Sequence, residues 1–96
     1  MSTNHSNLET KKLTTNKVYR IIAIKEINTK FGTSYILTDD RYDDYFSINK
    51  ITKHIQATGI TNDPNKKVLF TIRTGVYKTF TNDAGEEHRY LDCKIY

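Results

Sequence analysis

The chain has 96 residues, a hydrophobic fraction of 36%, seven tyrosines, four phenylalanines, no tryptophan and a formal net charge of +4. That length supports one domain and leaves little room for a second core. Middling apolar content with few glycines and prolines argues against a disordered chain, and the single cysteine, Cys93, excludes an internal disulfide framework or a multi-cysteine metal site.

A lone thiol suits a reducing compartment. The opening MSTNHSNLETKKL has no apolar run of signal-peptide type, and no stretch approaches membrane-spanning length. The expectation is a soluble intracellular protein, in cytoplasm or nucleus, with no membrane partner. The modest positive charge favours polyanionic partners. Richness in Lys, Asn, Ile, Thr and Tyr suggests an AT-rich coding sequence, and with it a viral or mobile-element protein or an AT-rich microbe.

Residues 1–16 are polar and aperiodic and are expected to form a flexible tail, with a single domain over 17–96. KVYRIIAIKEI then begins a strand apolar on both faces, with Val18, Ile22 and Ile24 on one side and Tyr19, Ile21, Ala23 and Ile27 on the other. Such a strand is central or bent between two layers. NTKFG supplies a turn, and TSYILTD reads as a second strand. In DRYDDYFSIN the aspartates belong to a loop, and YFSI makes a short third strand.

INKITKHIQATG is the one helical segment. Ile48, Ile51 and Ile55 recur at helical spacing, Ser47 or Asn49 is placed to cap the start, and Gly59 stands where a helix ends. TNDPNK is turn chemistry. KKVLFTIRTGVYKTF forms a long fourth strand in which Gly75 marks a bulge or bend, leaving the facing beyond it open. TNDAGEE closes a hairpin, and HRYLDCKIY is the fifth strand. Its Leu91, Cys93 and Ile95 share one face, and His88, Tyr90, Asp92, Lys94 and Tyr96 the other.

The predicted fold is therefore mainly β: three strands, one short helix, then two strands. This order resembles the OB-fold, a small five-stranded, partly open Greek-key barrel that binds oligonucleotides or oligosaccharides. INTKFGTSYIL adds a likeness to small OB-type single-stranded-DNA-binding proteins, in which a strand, a Thr/Lys–aromatic–Gly turn and an apolar strand open the barrel. An SH3-like barrel or another β-rich α+β fold also accommodates the order.

For catalysis the residues offer little. His5, His54 and His88 show no nucleophile–base spacing with Cys93, and no Gly-rich phosphate loop appears, so no enzyme activity and no cofactor are expected. Cys93 reads as a buried thiol between Leu91 and Ile95, and His54 as a residue on the flank of the helix. The aspartates of DDRYDD lack the glycine and terminal glutamate of a calcium loop, so a solvated loop is favoured over a metal site.

Single-stranded nucleic acid asks for cations along its phosphates and aromatic faces for its bases. The last strand presents Tyr90 and Lys94 with His88 and Tyr96, and the fourth presents Arg73, Tyr77 and Lys78. The OB resemblance adds Lys30 and Phe31 from the first turn and Tyr35, Tyr42 and Tyr45 from the second and third strands. Arg41 is a further candidate beside Tyr42, although the aspartates around it argue locally against a phosphate contact. It also adds Phe80 and Arg89 beside the last hairpin. Tyr19, Phe46 and Phe70 are expected in the core, and TSYILT is compatible with either facing of Tyr35. Glu86 and Glu87 make the last hairpin tip less suited to phosphate. The reading is a non-catalytic binder of single-stranded DNA, with RNA as the close variant. The alternative is a protein-interaction or assembly module, as a homodimer or with a partner protein.

Overall fold

The computed structural model describes residues 9–96. Six strands and one helix follow in the order β1 Thr10–Lys12, β2 Val18–Thr29, β3 Gly32–Asp39, β4 Asp44–Phe46, α1 Asn49–Thr58, β5 Phe70–Thr81 and β6 Glu87–Ile95. All six strands belong to one curled half-barrel sheet in the order β1-β4-β3-β2-β5-β6. Neighbours are antiparallel except β1 and β4, which run parallel. The mainly β expectation holds. The count of five strands does not, because Thr10–Lys12, inside the segment expected to be a tail, forms a sixth.

That strand escapes sequence reading because its support is tertiary. Leu13 is buried, and the chain beyond it is pinned to β5 through the buried Thr74. The Thr74 hydroxyl accepts the Lys17 N–H at 2.9 Å and can donate to the Thr14 carbonyl, while the Thr74 N–H reaches the Lys17 carbonyl at 2.8 Å. Residues 1–8 of the expected tail lie outside the described residues.

β2 is central, pairing with β5 through Val18–Ile21 and with β3 through Ile21–Thr29. An extra residue at Ile22 shifts the register between Ile21 and Ala23. Strict alternation therefore fails: Tyr19 and Ile21 face the core before the bulge, and Ile24 packs on it afterwards, opposite the fully buried Leu37. A bulge of this kind bends the strand, so one strand serves both halves of the curl.

The helix keeps its isoleucine stripe, with Ile51 and Ile55 buried and Ile48 half-buried against the core. Gly59 ends it in the left-handed region at φ 70°, its N–H returning to the Ile55 carbonyl. The expected N-cap is not formed. Ile48 takes the cap position without a side-chain bond, and the Ser47 hydroxyl instead meets Thr52 Oγ1 at 2.8 Å. Among the described residues no helix is long and apolar enough to cross a membrane.

Candidate nucleic-acid interface

β5 and β6 run past the core as a two-stranded arm whose residues from Val76 outward on β5 and before Leu91 on β6 are exposed. Its tip is held by Asn82, whose side-chain carbonyl accepts the N–H groups of Ala84 and Glu86. The pairing steps from Thr74 opposite Cys93 to Tyr77 opposite Leu91, so the bulge anticipated at Gly75 is present. It places Tyr77 and Arg89 on the face of the buried Leu91. Lys78, Phe80, His88 and Tyr90 take the other face, with Phe80 stacked on His88 at 5.3 Å and tilted against Tyr90 at 5.9 Å.

β6 is an edge strand with no strand neighbour on its outer side among the described residues. The helix lies alongside that edge, and the Lys50 ammonium bonds the Cys93 carbonyl of β6. A cleft of about 740 Å³ opens there, lined by Ile48, Asn49, Lys50, Lys53, Phe80, Arg89, Tyr90 and Leu91. It takes side chains from both faces of the arm because it lies against the unpaired edge.

Two further clefts continue it. One of about 370 Å³ shares Ile48, Arg89 and Leu91, and adds Lys12, Leu13, Phe46, Ser47 and Tyr77. It occupies the seam where β1 and β4 approach β5 and β6 without pairing. The other, of about 550 Å³, shares Lys50 and Lys53 and adds His54, Lys94, Ile95 and Tyr96. The joined groove thus carries Lys12, Arg89, Lys50, Lys53 and Lys94 interleaved with Phe46, Tyr77, Phe80, Tyr90 and Tyr96. Among the described residues no aspartate or glutamate lines it.

Of the residues singled out from sequence, Tyr77, Phe80, Arg89, Tyr90, Lys94 and Tyr96 are brought to this groove. Lys78 stands on the outer face of the arm and pairs with Asp92 at 3.3 Å. Arg73 is opposite Lys94 in register, an exposed like-charge pair, and the two share a small cleft with Asp92. Lys30 and Phe31 sit at the far end of β2 from the arm. There the Thr29 hydroxyl accepts the Phe31 N–H and donates to the Gly32 carbonyl, and Gly32 has φ 110°, open to glycine but strained for other residues. The turn holds the Phe31 ring 89% exposed with the Lys30 ammonium 5.2 Å from its centroid.

Tyr35 and Tyr45 are corrections. Each is 9% exposed and part of the core, so neither offers a face to a base. The Tyr35 hydroxyl reaches Glu26 at 3.5 Å, and Tyr45 packs edge-on against Tyr19 at 4.9 Å. Burial first, then the nearby carboxylates of Asp39 and Asp43, push the Tyr45 phenol up to about 12. Phe46 errs in the other direction. Expected in the core, it is 46% exposed in the seam, because Tyr45 takes the core face of β4 and alternation turns the next residue to the other.

Arg41 and Tyr42 occupy the β3–β4 turn, with Tyr42 at φ 64° and 78% exposed. The aspartates there have structural partners. Buried Asp39 accepts the N–H groups of Arg41 and Asp43, Asp44 accepts the Thr38 hydroxyl, and Asp43 pairs with Lys11. Among the described residues no His, Cys, Asp and Glu gather in a set able to hold a metal. Cys93 is buried, and burial raises its thiol pKa despite the nearby Lys50.

Sequence reasoning missed Lys12, Lys50 and Lys53. The helical lysines stand at three-residue spacing beside the isoleucine stripe, a pattern that ordinary solvated helix faces share, so only the position of β6 gives it meaning. The chain matches no protein-family model, and neither a curated protein nor a solved structure was found to be similar to it.

Proposed function

We propose that the protein is a non-catalytic module that binds single-stranded nucleic acid, DNA in preference, in the groove between α1, the seam and the β5–β6 arm. The observation that carries this reading is the joined run of clefts in which cations and exposed rings alternate and which, among the described residues, no aspartate or glutamate lines. Cations follow phosphates, and rings stack bases at roughly 1–3 kcal/mol each. RNA is the close variant, because stacking and phosphate contact serve both polymers.

The strand order supports an OB-like architecture. Apart from β1, the sheet runs β4-β3-β2-β5-β6, with the helix between its third and fourth members in sequence. The turn carrying Lys30 and Phe31 then corresponds to the first loop of such barrels, which commonly faces the ligand.

The test uses the absence of tryptophan. Emission comes from tyrosine, and Tyr77, Tyr90 and Tyr96 are exposed in the groove. Oligo-dT quenches this emission, and the affinity falls steeply with salt as counterions are released. Absence of binding at low salt overturns the reading.

One observation favours a second reading. The nine-residue edge strand β6 offers unpaired backbone to another chain, with Phe80 and Val76 exposed nearby. As an assembly module the protein sediments as a homodimer or with a partner protein, and oligo-dT leaves its fluorescence unchanged.

A further inference from the structure

Lys11, Lys12, Lys17 and Arg20 form a basic stretch that the groove takes up only at Lys12. In the fold these side chains meet Arg41, from the β3–β4 turn, around a separate cleft of about 600 Å³. Its one lining carboxylate is Asp43, which Lys11 holds at 3.3 Å. Lys12, Lys17, Arg20 and Arg41 are exposed, and no carboxylate of the described residues lies within ion-pair distance of them. Four like charges around one cleft repel each other, and a bound polyanion relieves that repulsion.

The lining chemistry differs from that of the groove. Its only rings, Tyr19 and Tyr45, are buried against each other edge to face, and the exposed Tyr42 does not line it. A base finds no stacking surface here, whereas phosphates find two guanidinium forks and two ammonium groups. Lys12 lines both this cleft and the seam of the groove, so the two are continuous at that residue.

We propose that this cleft is a phosphate-only subsite, which takes the backbone of the single strand as it leaves the groove past Lys12. The inference rests on the nucleic-acid reading of the groove and adds a footprint to it. Bases stack in the groove, and beyond Lys12 only phosphates are held, with the bases turned to solvent. The subsite is therefore blind to base identity and matters only for strands longer than the groove.

The experiment compares oligo-dT of about six and about twenty nucleotides, a pair that brackets the usual span of such modules. The proteins are the wild type and the double variant Arg20→Gln/Arg41→Gln. Ionic strength is held near physiological, where the Debye length of about 8 Å limits effects at a distance. The variant is expected to bind the six-mer within about twofold of wild type. It is expected to bind the twenty-mer about tenfold more weakly, with the salt slope reduced by about 1.4 for two lost phosphate contacts. Lys17→Gln, on a different element, reproduces the length dependence at about half the slope change, and thermal melting of each variant reports folding. Unchanged twenty-mer affinity overturns the subsite, as does an equal loss for both lengths, which assigns these residues to the groove. If wild type binds neither length, the reading of the groove itself fails, and the subsite with it.

Discussion

The Arg89 guanidinium lies over the Tyr77 ring, 4.4 Å from its centroid, on the arm beyond the core. The contact depends on the bulge that sets two β5 residues, Gly75 and Val76, against Asp92 of β6. In a regular ladder Val76 would stand opposite Leu91, and Tyr77 would turn to the outer face, away from the seam. The stacked pair presents a fixed cation and a ring edge at the junction of two clefts, both of which Arg89 lines. Replacing Arg89 by alanine is expected to lower oligo-dT affinity about tenfold and the salt slope by about 0.7. The melting temperature moves little, because the side chain is exposed. Fluorescence titrations across a salt series measure both quantities.

Stacking predicts a ranking among the rings. Tyr90→Ala and Phe80→Ala remove rings that line the groove, and each is expected to weaken binding by about 1–3 kcal/mol. Phe31→Ala acts at the other end of β2 and is expected to weaken it less, with no loss of stability from so exposed a side chain. Equal effects of all three would place the first turn directly on the bound strand.

Thr74 holds the 14–17 segment against β5, so Thr74→Val tests whether β1 belongs to the folded unit. The substitution keeps the shape but leaves the Lys17 N–H without its 2.9 Å acceptor. A loss of about 1–3 kcal/mol is expected from urea unfolding. Hydrogen exchange at Lys11 and Lys12 accelerates with it.

The buried phenol of Tyr45 makes stability depend on alkaline pH. Its folded-state pKa, about 12, lies above the unfolded value of 10, so the native state holds the proton more tightly. The resulting stabilisation is complete below pH 10 and is lost as pH rises from 10 to about 12. Tyr45→Phe carries no such proton. Its denaturation midpoint is expected to fall less than that of wild type over this interval.

Cys93 is expected to resist thiol reagents at neutral pH, since burial both raises its pKa and blocks access. Labelling by a disulfide reagent proceeds at the rate of opening and becomes fast in denaturant. Prompt labelling in the native state would mean that β6 detaches readily from the sheet.

Where a periodic signal met a single covered face, sequence and structure agree. The helix from Asn49, its Ile51–Ile55 stripe, the Gly59 stop and the alternation of Leu91, Cys93 and Ile95 are all written locally. The hairpin turns were legible for the same reason, because Gly32 and the TNDAGEE segment encode their own backbone geometry. Misreadings cluster where a local rule needed a distant partner. Ile22 inserts an unforeseen residue into the β2–β3 ladder, and a bulge reverses the facing of everything after it; the bulge at Gly75 was legible, but the facing beyond it was not.

By itself, then, the sequence determined a mainly β domain with one amphipathic helix and a surplus of tyrosine and lysine. The tertiary structure decided which of those tyrosines meet solvent. Tyr35 and Tyr45 sit in strands that the curl of the sheet covers, whereas Tyr77 and Tyr90 sit on an arm that outruns the core. It also ordered Thr10–Lys12, whose three residues carry no period, and gathered Lys12, Lys50, Lys53 and Arg89 from three separate elements. The physical reason is that period-two alternation states which side chains share a face but never which face another element will bury.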